Sequence, residues 1–152
     1  MTARTVQLFG VEPVMAMVSY SNFGSSKHEN SRKVAKAVSY MHKYYPDLIV
    51  DGEVQTDFAL NSEMLKEKFP FSKLAGKKVN TMIFPNLDTA NITYKMLKEM
   101  NKADSIGPIL MGMNKPVHIL QLGAKVEEMV NMAAVAVVDA QQKERKELSA
   151  TL

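Results

Sequence analysis

Four short apolar runs set the frame for this chain: VEPVMAMVSY (11–20), DLIVDGEV (47–54), VNTMIFP (79–85) and SIGPILMG (105–112). Each has the Val, Ile and Met content and the length of a buried strand. The stretches between the first three, and between the third and the fourth, carry helical signals. Asn30 or Ser31 caps a helix through about Tyr44, with Val34, Ala37, Val38 and Met41 on one face and Pro46 beyond its end. Thr56 or Asp57 opens a second helix through about Phe69, with Phe58, Met64 and Leu65 as apolar contacts. Asp88 or Thr89 opens a third to about Met100, with Ile92, Met96 and Met100 on one stripe. A last helix covers Lys125–Leu148. Strands separated by helices need crossover connections, so the expectation is an α/β fold, an α/β/α sandwich on a mainly parallel sheet. Ligands in such folds sit beyond the carboxyl ends of strands. That points to four loops: Ser21–Asn30, Asp51–Asp57, Asn86–Asn91 and Gly112–Gly123.

Composition excludes several classes of function. A chain of 152 residues reads as one domain able to bury a core, with 46% hydrophobic and 23% charged residues. The net charge of +3 is too mild for a nucleic-acid partner, and no Lys/Arg run has aromatics interleaved. Cys is absent, which removes disulfides, thiol nucleophiles and Cys-based metal sites and suits a reducing, cytoplasmic setting. MTARTVQLFG lacks the order of a signal peptide, and MAAVAVV (132–138) is far too short to span a membrane, so no membrane partner is expected. The 12 Met read as a plastic core or interface.

Among the loops, SYSNFGSSKHENS (19–31) holds the richest donor set. Gly24 permits close backbone approach. Ser25, Ser26 and Lys27 can donate to phosphate oxygens, and a helix N-terminus follows. It lacks the spacing of a Walker-type phosphate loop, and the alternative is a capped turn satisfied by its own side chains. Asp51, Glu53 and Asp57 are spaced for acid/base or Mg²⁺ chemistry, but the sequence favours a turn at Asp51–Gly52 and a cap at Asp57. Asp88 and Asn91 fit capping better than catalysis. His28 and His118 lie in two of the loops and are candidates to face one cleft, whereas His42 reads as solvated. No His spacing suits zinc.

SYSNFGSS, DGEVQTDFAL, IFPNLDTANITYK and SIGPILMGMNKPV, in this order, resemble the phosphate acetyl/butyryltransferases, with the likeness running from Val14 to Gln141. The resemblance implies an isocitrate dehydrogenase-like α/β/α fold and an acyl-CoA ligand held between two domains. It implies that residues 1–152 are about the second half of such an enzyme, without the first-half domain and its phosphate-binding Arg residues. The acyl-CoA residues it implies are Ser21, Asn22, Gly24, Ser25, Ser26, Lys27, His118 and Gln121. Active enzymes of the family follow KPV with Asn-Asp-Leu-Ser-Arg-Gly and place an Asp a few residues later. A Ser and an Arg hold the acyl phosphate, the Arg through its bidentate fork, and the Asp takes the thiol proton. Here the aligned residues are Gln121, Leu122 and Glu128. A leucine cannot hold a dianion.

KPVHILQLG is similar instead to the version appended to NADP-dependent malic enzymes. That resemblance implies a catalytically inactive regulatory and oligomerising region that senses acetyl-CoA and forms homo-oligomers. NADP, a divalent metal and the malate-decarboxylating residues would lie upstream, and this chain would hold no cofactor. The final helix would pack on the missing domain or on a partner chain. Two alternatives stand beside this: an active acyltransferase with an altered clamp, and an oligomerisation module without ligand.

Overall fold

The computed structural model describes residues 1–101 and 105–150, and the side chains of residues 1–100 and 105–145. The chain divides into two compact units. One is Gly10–Met96; the other combines Met1–Phe9 with the stretch from Leu97 onward.

The first unit contains the sheet. Strands β1 (Val14–Val18), β2 (Ile49–Val54) and β3 (Thr81–Ile83) are all parallel, in the order β2-β1-β3. Alternation along β1 sends Ala16 and Val18 to one face, where they join Val54, Ala59, Leu65 and Leu74 in the buried core. Met15 and Met17 point to the other face. Helix α2 (Glu29–Tyr44) packs on β1 and β2 and buries Val34 and Val38, which are not part of that cluster. The sheet is therefore covered on both faces, as parallel sheets require. The apolar face read from the sequence for α2 is the one buried, with Ala37 and Met41 half-buried beside it.

Several boundaries differ from the sequence reading. The α2 cap is His28, not Asn30 or Ser31: its Nδ1 accepts from the Asn30 N–H at 3.3 Å. The single helix expected from Thr56 to Phe69 is two, α3 (Thr56–Leu60) and α4 (Ser62–Lys68). Asn61 divides them because its Oδ1 accepts from the Met64 N–H at 3.0 Å and so starts a new helix. Gln55 stands at the start of α3, so Asp57 is not its cap. Asp51 and Gly52 do not form a turn; they lie inside β2, where the register with β1 shifts between Met17 and Val18. Helix α5 (Leu87–Asn101) is capped by Asn86, whose Oδ1 accepts from Thr89 N–H at 2.9 Å, and not by Asp88 or Thr89. Its stripe of Ile92, Met96 and Met100 is exposed.

In the second unit, a short N-terminal helix, α1 (Thr2–Leu8), not foreseen from the sequence, accompanies α6 (Val126–Ala150). The apolar run 105–112 is not a strand: no described segment pairs with it. Met132 of α6 is buried, while Met129, Val130, Val137 and Val138 are exposed.

Candidate functional site

Strand order 2-1-3 makes β1 the point where the chain changes direction across the sheet. In α/β folds the crevice for ligands lies at the carboxyl edge, where the strand order reverses. The structure has a cleft of about 370 Å³ in that place. Val18, Ser19 and Tyr20 line it from the end of β1, and Phe84, Pro85 and Asn86 from the end of β3. Asn30 and Lys33 enter from the first turns of α2, Thr89 from the first turn of α5, and Thr56 from the start of α3. Three of the four loops singled out from the sequence thus meet at one cleft of the first unit. The fourth, Gly112–Gly123, belongs to the other unit.

The Ser-rich loop is held by the end of β2 and by Gln55 just beyond it. Glu53 is 1% exposed, and its Oε1 accepts from the Ser21 hydroxyl at 2.9 Å and from Gly24 N–H at 2.6 Å. Its carbonyl accepts from Phe23 N–H at 2.7 Å. Gln55 N–H donates to Asn22 Oδ1 at 2.7 Å, and the Gln55 side-chain amide donates to the Tyr20 carbonyl at 2.6 Å. With its proton on Glu53, the Ser21 hydroxyl accepts from Ser26 N–H at 3.0 Å and from the Ser25 hydroxyl at 3.1 Å. The Ser26 hydroxyl pairs with Tyr20 Oη at 3.1 Å. The expected site residues Ser21, Asn22, Gly24, Ser25, Ser26 and Lys27 are therefore one loop, of which Gly24, Ser25 and Lys27 are exposed. None of the six lines the cleft; the adjoining Ser19 and Tyr20 do.

Asp51 anchors a second loop. Its Oδ2 accepts from the Ser72 hydroxyl at 2.9 Å and from Lys73 N–H at 2.8 Å. His42 is not simply solvated: its Nε2–H donates to the Val50 carbonyl at 2.8 Å and lies 3.7 Å from Asp51 Oδ1. Among the described residues no group of His, Asp and Glu is arranged to hold a metal ion.

In the second unit, Leu122 stands fully in solvent and Gln121 is exposed, its carbonyl accepting from Ala124 N–H at 3.1 Å. Glu128 reaches back to the start of α6, where Oε2 accepts from Lys125 N–H at 2.8 Å, and its Oε1 lies 3.7 Å from Lys98 Nζ. That is the reciprocal half of a capping box. His118 lines a second cavity of about 260 Å³ with Arg4, Asp139 and Lys143. Its ring nitrogens are buried without a hydrogen-bond partner among the described residues. His28 and His118 belong to different units, and His28 is occupied as the α2 cap. Perturbed titration is seen at the surface of α4: the Lys68 hydrogen bond, then its charge, lowers the Glu67 carboxyl, and the same pair raises Lys68. Both are fully solvated and away from the cleft.

Asn30, Thr56 and Thr89 fall within loops the sequence pointed to, without being named as site residues, whereas Lys33 on α2 was missed.

Residues 1–137 match the family described as "Phosphate acetyl/butaryl transferase". The chain belongs to the phosphate acetyl/butyryltransferase family. It is 45% identical to a phosphate acetyltransferase of Clostridium acetobutylicum over 93% of this chain and 42% of that protein. It is 42% identical to an NADP-dependent malic enzyme of Haemophilus influenzae over 93% of this chain and 19% of that protein. Among solved structures, a phosphotransacetylase from Streptococcus pyogenes superposes with a TM-score of 0.86 at 38% identity, covering 93% of this chain and 43% of that one. The EutD phosphotransacetylase from Staphylococcus aureus gives 0.84 at 34% identity, over 91% and 43%. The chain thus spans less than half of the transferases it matches and about a fifth of the malic enzymes. The parallel α/β sheet expected for the family is the one found.

Proposed function

We propose that this phosphotransacetylase-like chain is the regulatory and oligomerising region of an NADP-dependent malic enzyme and binds acetyl-CoA, or a related acyl-CoA, without turning it over. Oxidative decarboxylation of malate to pyruvate, with its NADP and divalent metal, belongs in this reading to an upstream domain, and the location is cytoplasmic. The observation that carries it is the pair of opposed features in the two units. A cleft lies at the β1/β3 switch point, where α/β folds take ligands. Yet Leu122 occupies the position where the family's active members place the phosphate-holding Arg. Among the described residues no helix is long and apolar enough to cross a membrane.

The test uses the full-length protein. Calorimetric titration with acetyl-CoA should give saturable binding, and the same preparation should form no acetyl phosphate from acetyl-CoA and phosphate above a no-protein control. Steady acetyl phosphate turnover would replace this reading with that of an active transferase. Absence of acetyl-CoA binding together with intact assembly would leave an oligomerisation module.

A further inference from the structure

Among the described residues lining the β1/β3 cleft, Lys33 carries the one charge, and no carboxylate faces it. The remaining polar lining groups are neutral. Asn30 is one turn before Lys33 on the same face of α2, and Thr89 is in the first turn of α5. Both helix starts add a partial positive field. The floor is apolar, made by Val18, Phe84 and Pro85. A cleft with a single cation, two helix starts and no acid selects an anion, and its apolar floor asks for an alkyl chain beside that anion. A volume of about 370 Å³ is at the small end for ligand sites, so it holds one part of a CoA-sized molecule.

Resting on the acyl-CoA reading, we propose that Lys33 reads a phosphate of the CoA moiety in this cleft, while the pantetheine chain lies on Val18, Phe84 and Pro85. The present partner of Lys33 is easily displaced. Its Nζ donates to the Pro85 carbonyl at 3.4 Å, a long bond from an exposed side chain to a neutral acceptor. A phosphate oxygen offers a charged acceptor at about 2.8 Å and a bond roughly twice as strong. Release from Pro85 costs little, because a long exposed bond contributes little. The competing role for Lys33 is a latch that ties α2 to the β3–α5 loop whether or not ligand is present. The two roles differ in which ligands they affect. A latch shapes the cleft for every ligand, whereas a phosphate reader matters only to ligands that bear phosphate.

The experiment titrates acetyl-CoA and phosphate-free S-acetylpantetheine into the full-length protein and its Lys33→Gln variant. A thermal melt checks that the variant is folded. Lys33→Gln should weaken acetyl-CoA about tenfold, the loss of one charge-assisted contact, and leave S-acetylpantetheine unchanged. Where S-acetylpantetheine binds too weakly to titrate, the dependence of acetyl-CoA affinity on salt decides: the variant's slope should be flatter than the wild type's. Lys33→Arg, which keeps the charge, should recover most of the affinity. An equal loss for both ligands, an unchanged acetyl-CoA affinity or an unchanged salt slope would overturn the inference while the acyl-CoA reading stood. Failure of the wild type to bind acetyl-CoA would overturn that reading first, and the inference with it.

Discussion

A carboxylate as buried as Glu53 is tolerated only when donors surround it. Ser21 and Gly24 supply them, 32 and 29 residues away in the chain. Glu53→Ala should strand both donors and cost about 3 kcal/mol in urea unfolding. Glu53→Gln, which keeps an acceptor oxygen, should cost about half as much. Equal losses would show that the site responds to volume and not to hydrogen bonding. The neighbouring Gly52 is constrained differently. Its φ of +140° is disfavoured for any other residue, and a Cβ there would overlap the Met17 carbonyl oxygen on β1. Gly52→Ala should therefore destabilise by about 2 kcal/mol or more. Neither role was legible in DGEVQTD alone. Carboxylates at short spacing look like an acid/base pair until their partners, far off in sequence, are known. Leu122 was singled out without geometry, from the resemblance alone, which sets it where the motif of the active enzymes has an arginine.

At the scale of elements, apolar runs located β1, β2 and β3 and helical period located α2, because burial decides those patterns and the chain supplies the covering surface. Reading failed where a local side chain overrode the pattern. Asn61 splits one apolar-periodic stretch into α3 and α4, and Asn86, not Asp88, starts α5. It failed again at 105–112, since a strand exists only through its ladder and no described segment supplies one. The three loops that meet at the cleft were legible from the order of elements, but Lys33 was not, because it lies on a helix rather than in a loop. Caps make a clean prediction. Glu128, which the sequence resemblance sets at the family's proton-accepting Asp, here satisfies the Lys125 N–H. Glutamine also serves that half of a capping box, so Glu128→Gln should stay within about 0.5 kcal/mol of wild type, while Glu128→Ala loses about 1 kcal/mol. The exposed contact to Lys98, at 3.7 Å, contributes little. Equal losses in the two variants, measured by thermal unfolding, would assign the effect to charge instead.

At the scale of the whole chain, two helices leave apolar side chains exposed: Leu87, Ile92, Met96 and Met100 on α5, and Met129, Val130, Val137 and Val138 on α6. Patches of that kind are rare on soluble monomers. The 152-residue chain on its own should therefore self-associate, with residues 129–138 of α6 in the contact, as the all-round apolar MAAVAVV segment already suggested. Light scattering on dilute samples should give a mass well above 17.0 kDa. Val130→Lys with Val137→Lys places charges on two exposed positions that no fold contact needs, so it should lower the associated fraction without lowering the unfolding midpoint. A wild-type chain that remains monomeric, or a double variant that associates as strongly as wild type, would move the contact away from α6.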